Sequence, residues 1–125
     1  RSINENWNFG FNYTYLDARN DTNDSSLIDI PYNQANLKIT YQKDDLKYVL
    51  KNTFVGKRES VNKVYGQPNV EMDSYFISDL RISNNLTESK ELSVEINNLF
   101  DKDYQVVDGY PMPGRNFMVN LSTKF

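Results

Sequence analysis

Apolar and polar residues alternate with a period of two in six separate stretches of the chain. In "WNFGFNYTYLD", residues 7–17, one row reads Trp7, Phe9, Phe11, Tyr13, Tyr15 and the other Asn8, Gly10, Asn12, Thr14. A helix would scatter these aromatics around its axis, whereas a strand gathers them on one face. The second stretch, Asn33 to Gln42, sets Leu37, Ile39 and Tyr41 against Asn36, Lys38 and Thr40. The third, Leu46 to Lys57, sets Leu46, Tyr48, Leu50 and Phe54 against Lys47, Lys51, Thr53 and Lys57. Val49 and Val55 interrupt its polar row, and Asn52 its apolar row. The fourth, Ser74 to Asn84, carries Phe76, Leu80 and Ile82 opposite Asp79 and Arg81, with Tyr75 and Ile77 out of pattern. In the fifth, Glu91 to Phe100, Leu92, Val94 and Ile96 oppose Ser93, Glu95 and Asn97. The last, Arg115 to Phe125, aligns Phe117, Val119, Leu121, Thr123 and Phe125 against Met118, Asn120, Ser122 and Lys124.

The connections alternate in length. "ARNDTNDSSLIDIP", "RESVNKVYGQPNVEM" and "DKDYQVVDGYPMPG" are long, whereas "KDD" and "NLTESK" are short. This rhythm predicts an all-β, antiparallel up-and-down meander with tight turns at one end and extended loops at the other. Each strand has about the ten residues that a tilted strand needs to cross a hydrocarbon layer. With the short turns on the periplasmic side, Trp7, Tyr41, Tyr48 and Phe125 fall at the lower rim. Tyr15, Tyr32, Phe54, Phe76 and Phe117 then fall near the upper rim. Two aromatic belts with aliphatic residues between them suit a lipid-facing surface, and the Asn, Thr, Ser, Lys, Asp and Glu row suits a wet lumen. The ordinary alternative for amphipathic strands is a soluble sandwich with its aromatics inside. Three features favour the membrane reading: the loop rhythm, the rim aromatics and the apolar row that runs to the terminal Phe125.

Composition narrows the chemistry. The chain has 125 residues, a formal net charge of −3 and neither Cys nor His. Disulfides, thiolate metal sites, imidazole zinc sites and a His-based triad are therefore excluded within this chain. A pI near 4.9 gives no basic footprint for nucleic acid. No apolar run approaches the ~20 residues of a membrane-spanning helix. A mean hydropathy of −0.70 does not exclude a barrel, whose strands are apolar only at alternate positions. The start at Arg1, with no initiator Met or signal segment, reads as a piece of a longer chain or a processed product. Six strands are also too few to close a ring, for which about eight is the usual minimum. An open sheet leaves unpaired edges that lipid does not tolerate. Partners for the Trp7 strand and for the last strand are thus expected from outside this sequence.

Candidate sites are sparse. Asp17, Asp21, Asp24 and Asp29 cluster in the first long loop but lack the EF-hand pattern, and a solvated loop is the simpler reading. "DKDY", Asp101 to Tyr104, reads as a turn cap, and "GYPMPG" as a rigid turn entering the last strand. No metal site, cofactor or catalytic carboxylate pair is expected. Tyr65, Tyr104 and Tyr110 lie in long loops and are the candidate ligand contacts. On the polar row Lys38, Lys51, Asp79, Arg81 and Glu95 are expected to form a charge ladder across neighbouring strands.

The segment "VEINNLFDKDYQ", followed by "GYPMPGRNF" and a closing strand ending in Phe, resembles the carboxyl end of TonB-dependent outer-membrane receptors. The likeness is strongest from Leu92 to Phe125. It rests on "NLFD" together with Gly109, Tyr110, Pro113, Gly114 and Arg115. The resemblance implies the last part of a 22-stranded barrel of the Gram-negative outer membrane, plugged from inside by an amino-terminal domain. It implies import of cobalamin, iron–siderophores or haem, energised through the TonB protein, and no enzyme activity. The partners implied are the remainder of the receptor, outer-membrane lipid, a small-molecule nutrient and the barrel-assembly machinery. That machinery would read the row Phe117, Val119, Leu121, Thr123 and Phe125 as its signal. Two other readings stay open: an adhesin-like soluble or surface sheet, and a small outer-membrane pore assembled from several copies.

Overall fold

A computed structural model describes residues 2–19, 27–62 and 64–124. In chain order the strands are β1 (Ser2–Asn4), β2 (Trp7–Tyr15), β3 (Asn33–Lys43), β4 (Leu46–Val55), β5 (Arg58–Ser60) and β6 (Val70–Met72). They continue as β7 (Tyr75–Thr87), β8 (Lys90–Asn97), β9 (Gln105–Val107), β10 (Tyr110–Pro111) and β11 (Asn116–Thr123). Seven of them form one antiparallel sheet in the order β1-β2-β3-β4-β7-β8-β11. The other four form two small hairpins, β5 with β6 and β9 with β10, inside connections that the sequence pattern marks as loops.

The expected meander is present, with corrections. A seventh strand, β1, precedes Trp7 and pairs Ser2 with Asn8 and Asn4 with Trp7. The Trp7 strand therefore finds the start of its neighbour within this chain. Three residues are too few to show an alternation, which is why the pattern does not reveal β1. The Trp7 strand stops at Tyr15 and the third predicted strand at Val55, short of Asp17 and Lys57. The fourth runs on to Thr87, and the fifth stops at Asn97 rather than Phe100.

The register explains why the strands lie where they do. Trp7 stands opposite Tyr41, yet the next turn lies beyond the pair Lys43–Leu46, two residues further along. Asn84 opposes both Leu46 and Leu92, and the third turn lies beyond Lys90, again two residues further on β8. Leu86 is the extra residue of a bulge on β7 between Asn85 and Thr87. Each hairpin thus steps by two residues, or one per strand. With about 3.3 Å per residue and about 4.8 Å between strands, that step corresponds to a tilt of about 35°. Such a stagger is what a sheet must have to close into a barrel. The turns themselves hold two residues each, and Asp44 takes the left-handed conformation (φ 51°) that suits a tight hairpin.

The two faces differ as the alternation predicts. Trp7, Tyr41, Tyr48 and Ile82 form one cross-strand row, and Phe9, Ile39, Leu50, Leu80, Ile96 and Phe117 another. No second layer of this chain covers that face among the described residues: Phe11 is 70% exposed and Phe117, Val119 and Leu121 are 65–67% exposed. The buried residues lie mainly on or beside the opposite face: Val49, Val55, Ile77, Ser83 and Ser93. A soluble sandwich would show the reverse. Asn52, the polar interruption of the apolar row, meets another polar residue across the strand gap, Ser78, whose hydroxyl donates to its Oδ1 at 2.8 Å.

Candidate functional site

Among the described residues, side-chain bonds to distant backbone groups gather at the end of the sheet that carries the long connections. Three of the residues that interrupt the polar row assemble there, whereas Val49 lies further along β4 opposite Arg81. Val55 pairs with Tyr75 and Thr53 with Ile77, so Val55, Tyr75 and Ile77 sit together on adjacent strands. They form a dry patch because the two small hairpins lie against it. Gly56 is needed where the chain leaves β4: a Cβ there would stand 2.9 Å from the Asn33 carbonyl oxygen, which already accepts from Gly56 N at 2.7 Å.

Arg58 ties the two hairpins together. It is 1% exposed, its Nε donates to the Val106 carbonyl at 3.0 Å, and its Nη2 reaches the Gln105 and Val106 carbonyls at 2.5 and 2.6 Å. The guanidinium lies 5.4 Å from the centre of the Tyr75 ring, a cation–π contact, and Tyr75 packs at 4.7 Å on Tyr104. Its Nη1 is buried without a hydrogen-bond partner, and among the described residues no carboxylate pairs with it. A second tie joins the Asp108 amide to Ser60 Oγ at 3.3 Å.

Asn98 organises the last connection. It is buried, and in the left-handed conformation (φ 51°) its amide donates to Asp79 Oδ1 at 2.9 Å. Its side chain donates to the carbonyls of Lys102 and Pro113 and accepts from Lys102 N at 2.8 Å. Asp101, also left-handed, accepts from the Arg115 amide at 2.7 Å. A Cβ on Gly114 would meet that same Asp101 oxygen at 2.9 Å, so a larger residue would push the carboxylate away from the Arg115 amide. The "NNLFD" and "PGR" segments are therefore two halves of one clasp joining the end of β8 to the start of β11. Asp101 is the turn cap that "DKDY" suggests.

Beside the Tyr75–Tyr104 pair opens a concavity of about 310 Å³, lined in part by Glu71, Asp73, Lys102 and Asp108. Its rim is predominantly acidic. Lys57 is drawn into an ion pair with Glu71 at 2.6 Å, and that hydrogen bond and charge raise its pKa. Burial, with smaller contributions from Tyr75 and the Asp79 carboxylate, pushes the Tyr104 phenol above its ordinary value. Among the described residues no three acidic side chains are arranged to hold a metal ion.

The candidate tyrosines part company. Tyr104 is half-buried in the ring pair, and Tyr110, 71% exposed, lies on the same small hairpin, where the Met112 amide donates to the Tyr104 carbonyl at 3.0 Å. Tyr65 stands fully exposed in the other connection. Arg58, Tyr75 and Asn98 are not among the expected residues. The interruptions Val55, Tyr75 and Ile77 are the signal for the first two, since they mark where the polar face is covered. The row Phe117, Val119, Leu121 and Thr123 lies exposed on the edge strand β11, and Phe125 lies outside the described residues, as do Asp21 and Asp24.

The charge ladder needs correction. Arg81 bridges Glu95 at 3.0 Å and Glu91 at 2.8 Å, across the β7–β8 gap. Lys51 opposes Asp79, but no ion pair forms between them, and the carboxylate accepts from the Asn98 amide. Lys38 faces the like-charged Lys51.

This open, staggered sheet with one uncovered apolar face has known counterparts. The sequence model of the family described as TonB dependent receptor-like, beta-barrel, matches residues 2–99. The chain belongs to that family: it is part of a receptor β-barrel, not closed by itself. Over 73 residues it is 34% identical to the vitamin B12 transporter BtuB of Vibrio cholerae serotype O1, covering 58% of this chain and 12% of that protein. The copper transporter OprC superposes with a TM-score of 0.82 at 23% identity, over 99% of this chain and 22% of that one. A ferric enterobactin receptor mutant (Q482A) from Pseudomonas aeruginosa, PfeA, in complex with enterobactin, superposes with a TM-score of 0.81 at 25% identity. The match covers 98% of this chain and 21% of that one. The chain thus spans about an eighth of the curated relatives it matches and about a fifth of the solved receptors it resembles.

Proposed function

We propose that the chain is the carboxyl-terminal segment of an outer-membrane receptor that imports a scarce nutrient of the cobalamin, iron–siderophore or haem class with energy from TonB. The uncovered apolar face carries this reading, because only lipid accommodates so continuous a surface on a staggered sheet. The apolar rows face lipid, and the polar rows face a lumen filled by the plug domain. Tyr104, Tyr110 and Tyr65 stand among the loops at the outer mouth, where the nutrient first makes contact. The β11 row Phe117, Val119, Leu121 and Thr123, completed by Phe125, is the signal for the barrel-assembly machinery.

Spin labels on the whole receptor in lipid test the topology. Labels at Leu37, Ile39, Val94 and Leu121 should respond to lipid-soluble oxygen, and labels at Asn36, Lys38, Glu95 and Asn120 to a water-soluble reagent. Absence of alternation overturns the membrane reading. Uptake of labelled cobalamin or a ferric siderophore by cells carrying only this receptor should vanish when TonB is deleted. Uptake that survives the deletion overturns the energised-transport reading. Removing Phe125 should sharply lower the surface level in cells while leaving refolding in detergent nearly unchanged. Equal loss of both would make Phe125 structural only.

A further inference from the structure

We propose that Arg58 is a positioning residue. It bolts the β5–β6 and β9–β10 hairpins into one body, and so fixes the Tyr75–Tyr104 wall against which the nutrient packs. The role of the wall rests on the transport reading above; the bolt does not.

Three observations carry the inference. Arg58 is fully buried, yet it lies far in sequence from the carbonyls it holds, those of Gln105 and Val106. Its guanidinium also lies over the Tyr75 ring, and Tyr75 in turn supports Tyr104 on the edge of the acidic concavity. One side chain therefore sets both the separation of the hairpins and the orientation of the ring pair. Finally, Nη1 is buried with no partner. A buried, incompletely bonded cation is a poor choice for stability alone, since an apolar side chain of similar volume often does as well or better. Its advantage is geometric. The guanidinium fork fixes two successive carbonyls at once, which neither a lysine nor an apolar side chain can do. The cost of the orphan Nη1 disappears when the hairpins part and water reaches it, so the bolt holds without making the loops rigid beyond reopening.

The test uses the whole receptor in detergent micelles, with spin labels introduced as Val64→Cys and Met112→Cys, one on each connection. Both positions are exposed, and this chain has no cysteine of its own. In the parent the distance distribution should be single and narrow. Arg58→Ala and Arg58→Met should broaden it, and Arg58→Lys should fall between. Affinity for whichever of a cobalamin and a ferric siderophore the parent binds, measured on the same unlabelled variants, should weaken about tenfold in Arg58→Ala through lost preorganisation. The heat-resistant folded fraction should stay unchanged. A distribution unaffected by both Arg58→Ala and Arg58→Met overturns the bolt. A broadened distribution with unaltered affinity overturns the positioning role. A parent that binds none of the cobalamins or ferric chelates tried overturns the transport reading instead, and the distances still decide on the bolt.

Discussion

At one end of the sheet the strands are joined by turns of two residues, at Glu5-Asn6, Asp44-Asp45 and Glu88-Ser89. At the other they are joined through residues 16–32, 56–74 and 98–115, which contain a buried arginine, a buried asparagine and two extra hairpins. The turn end is held by backbone pairing and by aromatic contact, Trp7 on Tyr41 at 4.7 Å and Tyr41 on Tyr48 at 6.2 Å. The loop end is held by side chains that satisfy backbone groups belonging to distant segments. Tight turns need no such help, because their polar groups are already paired in the ladder. Long connections leave many amides and carbonyls without a ladder partner, and each must be satisfied by a side chain or by water.

The contrast can be broken at several places. The largest effect is expected in the regular part. Val94→Arg puts a cation in the middle of the apolar face and should destabilise the whole receptor in lipid by about 2–4 kcal/mol, measured by denaturant titration in bilayers. The same substitution at Glu95, on the other face, should cost far less. At the loop end, Asn98→Ala removes the hub of the clasp and leaves the Lys102 amide and two carbonyls unpaired. A loss of about 2–3 kcal/mol is expected, with β11 exchanging its amide hydrogens faster than β3 or β4. Gly114→Ala should cost about 1–2 kcal/mol through the clash with Asp101. A double-mutant cycle with Asp101→Ala should show the two effects to be less than additive, because both remove the same contact to Arg115. Full additivity would mean that the clasp is not one unit.

The smallest effect is a pH dependence confined to the loop end. Tyr104 has a folded-state pKa above its ordinary value of 10.0, so the folded form holds the proton more tightly than the unfolded one. Its contribution is present in full below the ordinary value and is lost as pH rises through the raised value. Ultraviolet titration should show one fewer late-ionising phenol in Tyr104→Phe than in the parent, with the hairpins loosening as Tyr104 ionises and the sheet unaffected.

Much of the sheet is legible in the alternation, because each strand's period is local and a neighbour need not be known to read it. The six long strands and their two faces follow from it, and so does the lower aromatic cluster. The ends of strands are less legible. β4 ends at Val55 although the Gly56 amide still donates to Asn33 and the Tyr32 amide to Lys57, in step with the β3–β4 ladder, so its end is set by where the chain turns away and not by its own pattern. Arg58 looks like one more loop cation until the carbonyls of Gln105 and Val106 are seen beside it. Tyr104 is visible as a candidate, but its partner Tyr75 reads only as a fault in the polar row. The family resemblance points to "NNLFD" and "PGR" without saying why those residues are needed; the clasp of Asn98, Asp101 and Gly114 supplies the reason.

The two-residue step of the register has an evolutionary consequence. Side chains in a strand change face with every residue, so an odd change of length at the turn end is tolerated only where a bulge takes it up, as Leu86 does on β7. Unless a bulge absorbed it, a single inserted or deleted residue beside Asp44 or Glu88 would turn an entire apolar row inward and a charged row outward. The long connections obey no such parity rule, since their length is taken up between strands and not within the ladder. Lineages of such a receptor should therefore drift freely in length at the loop end, while the turn end changes by pairs of residues or by single residues that a bulge takes up.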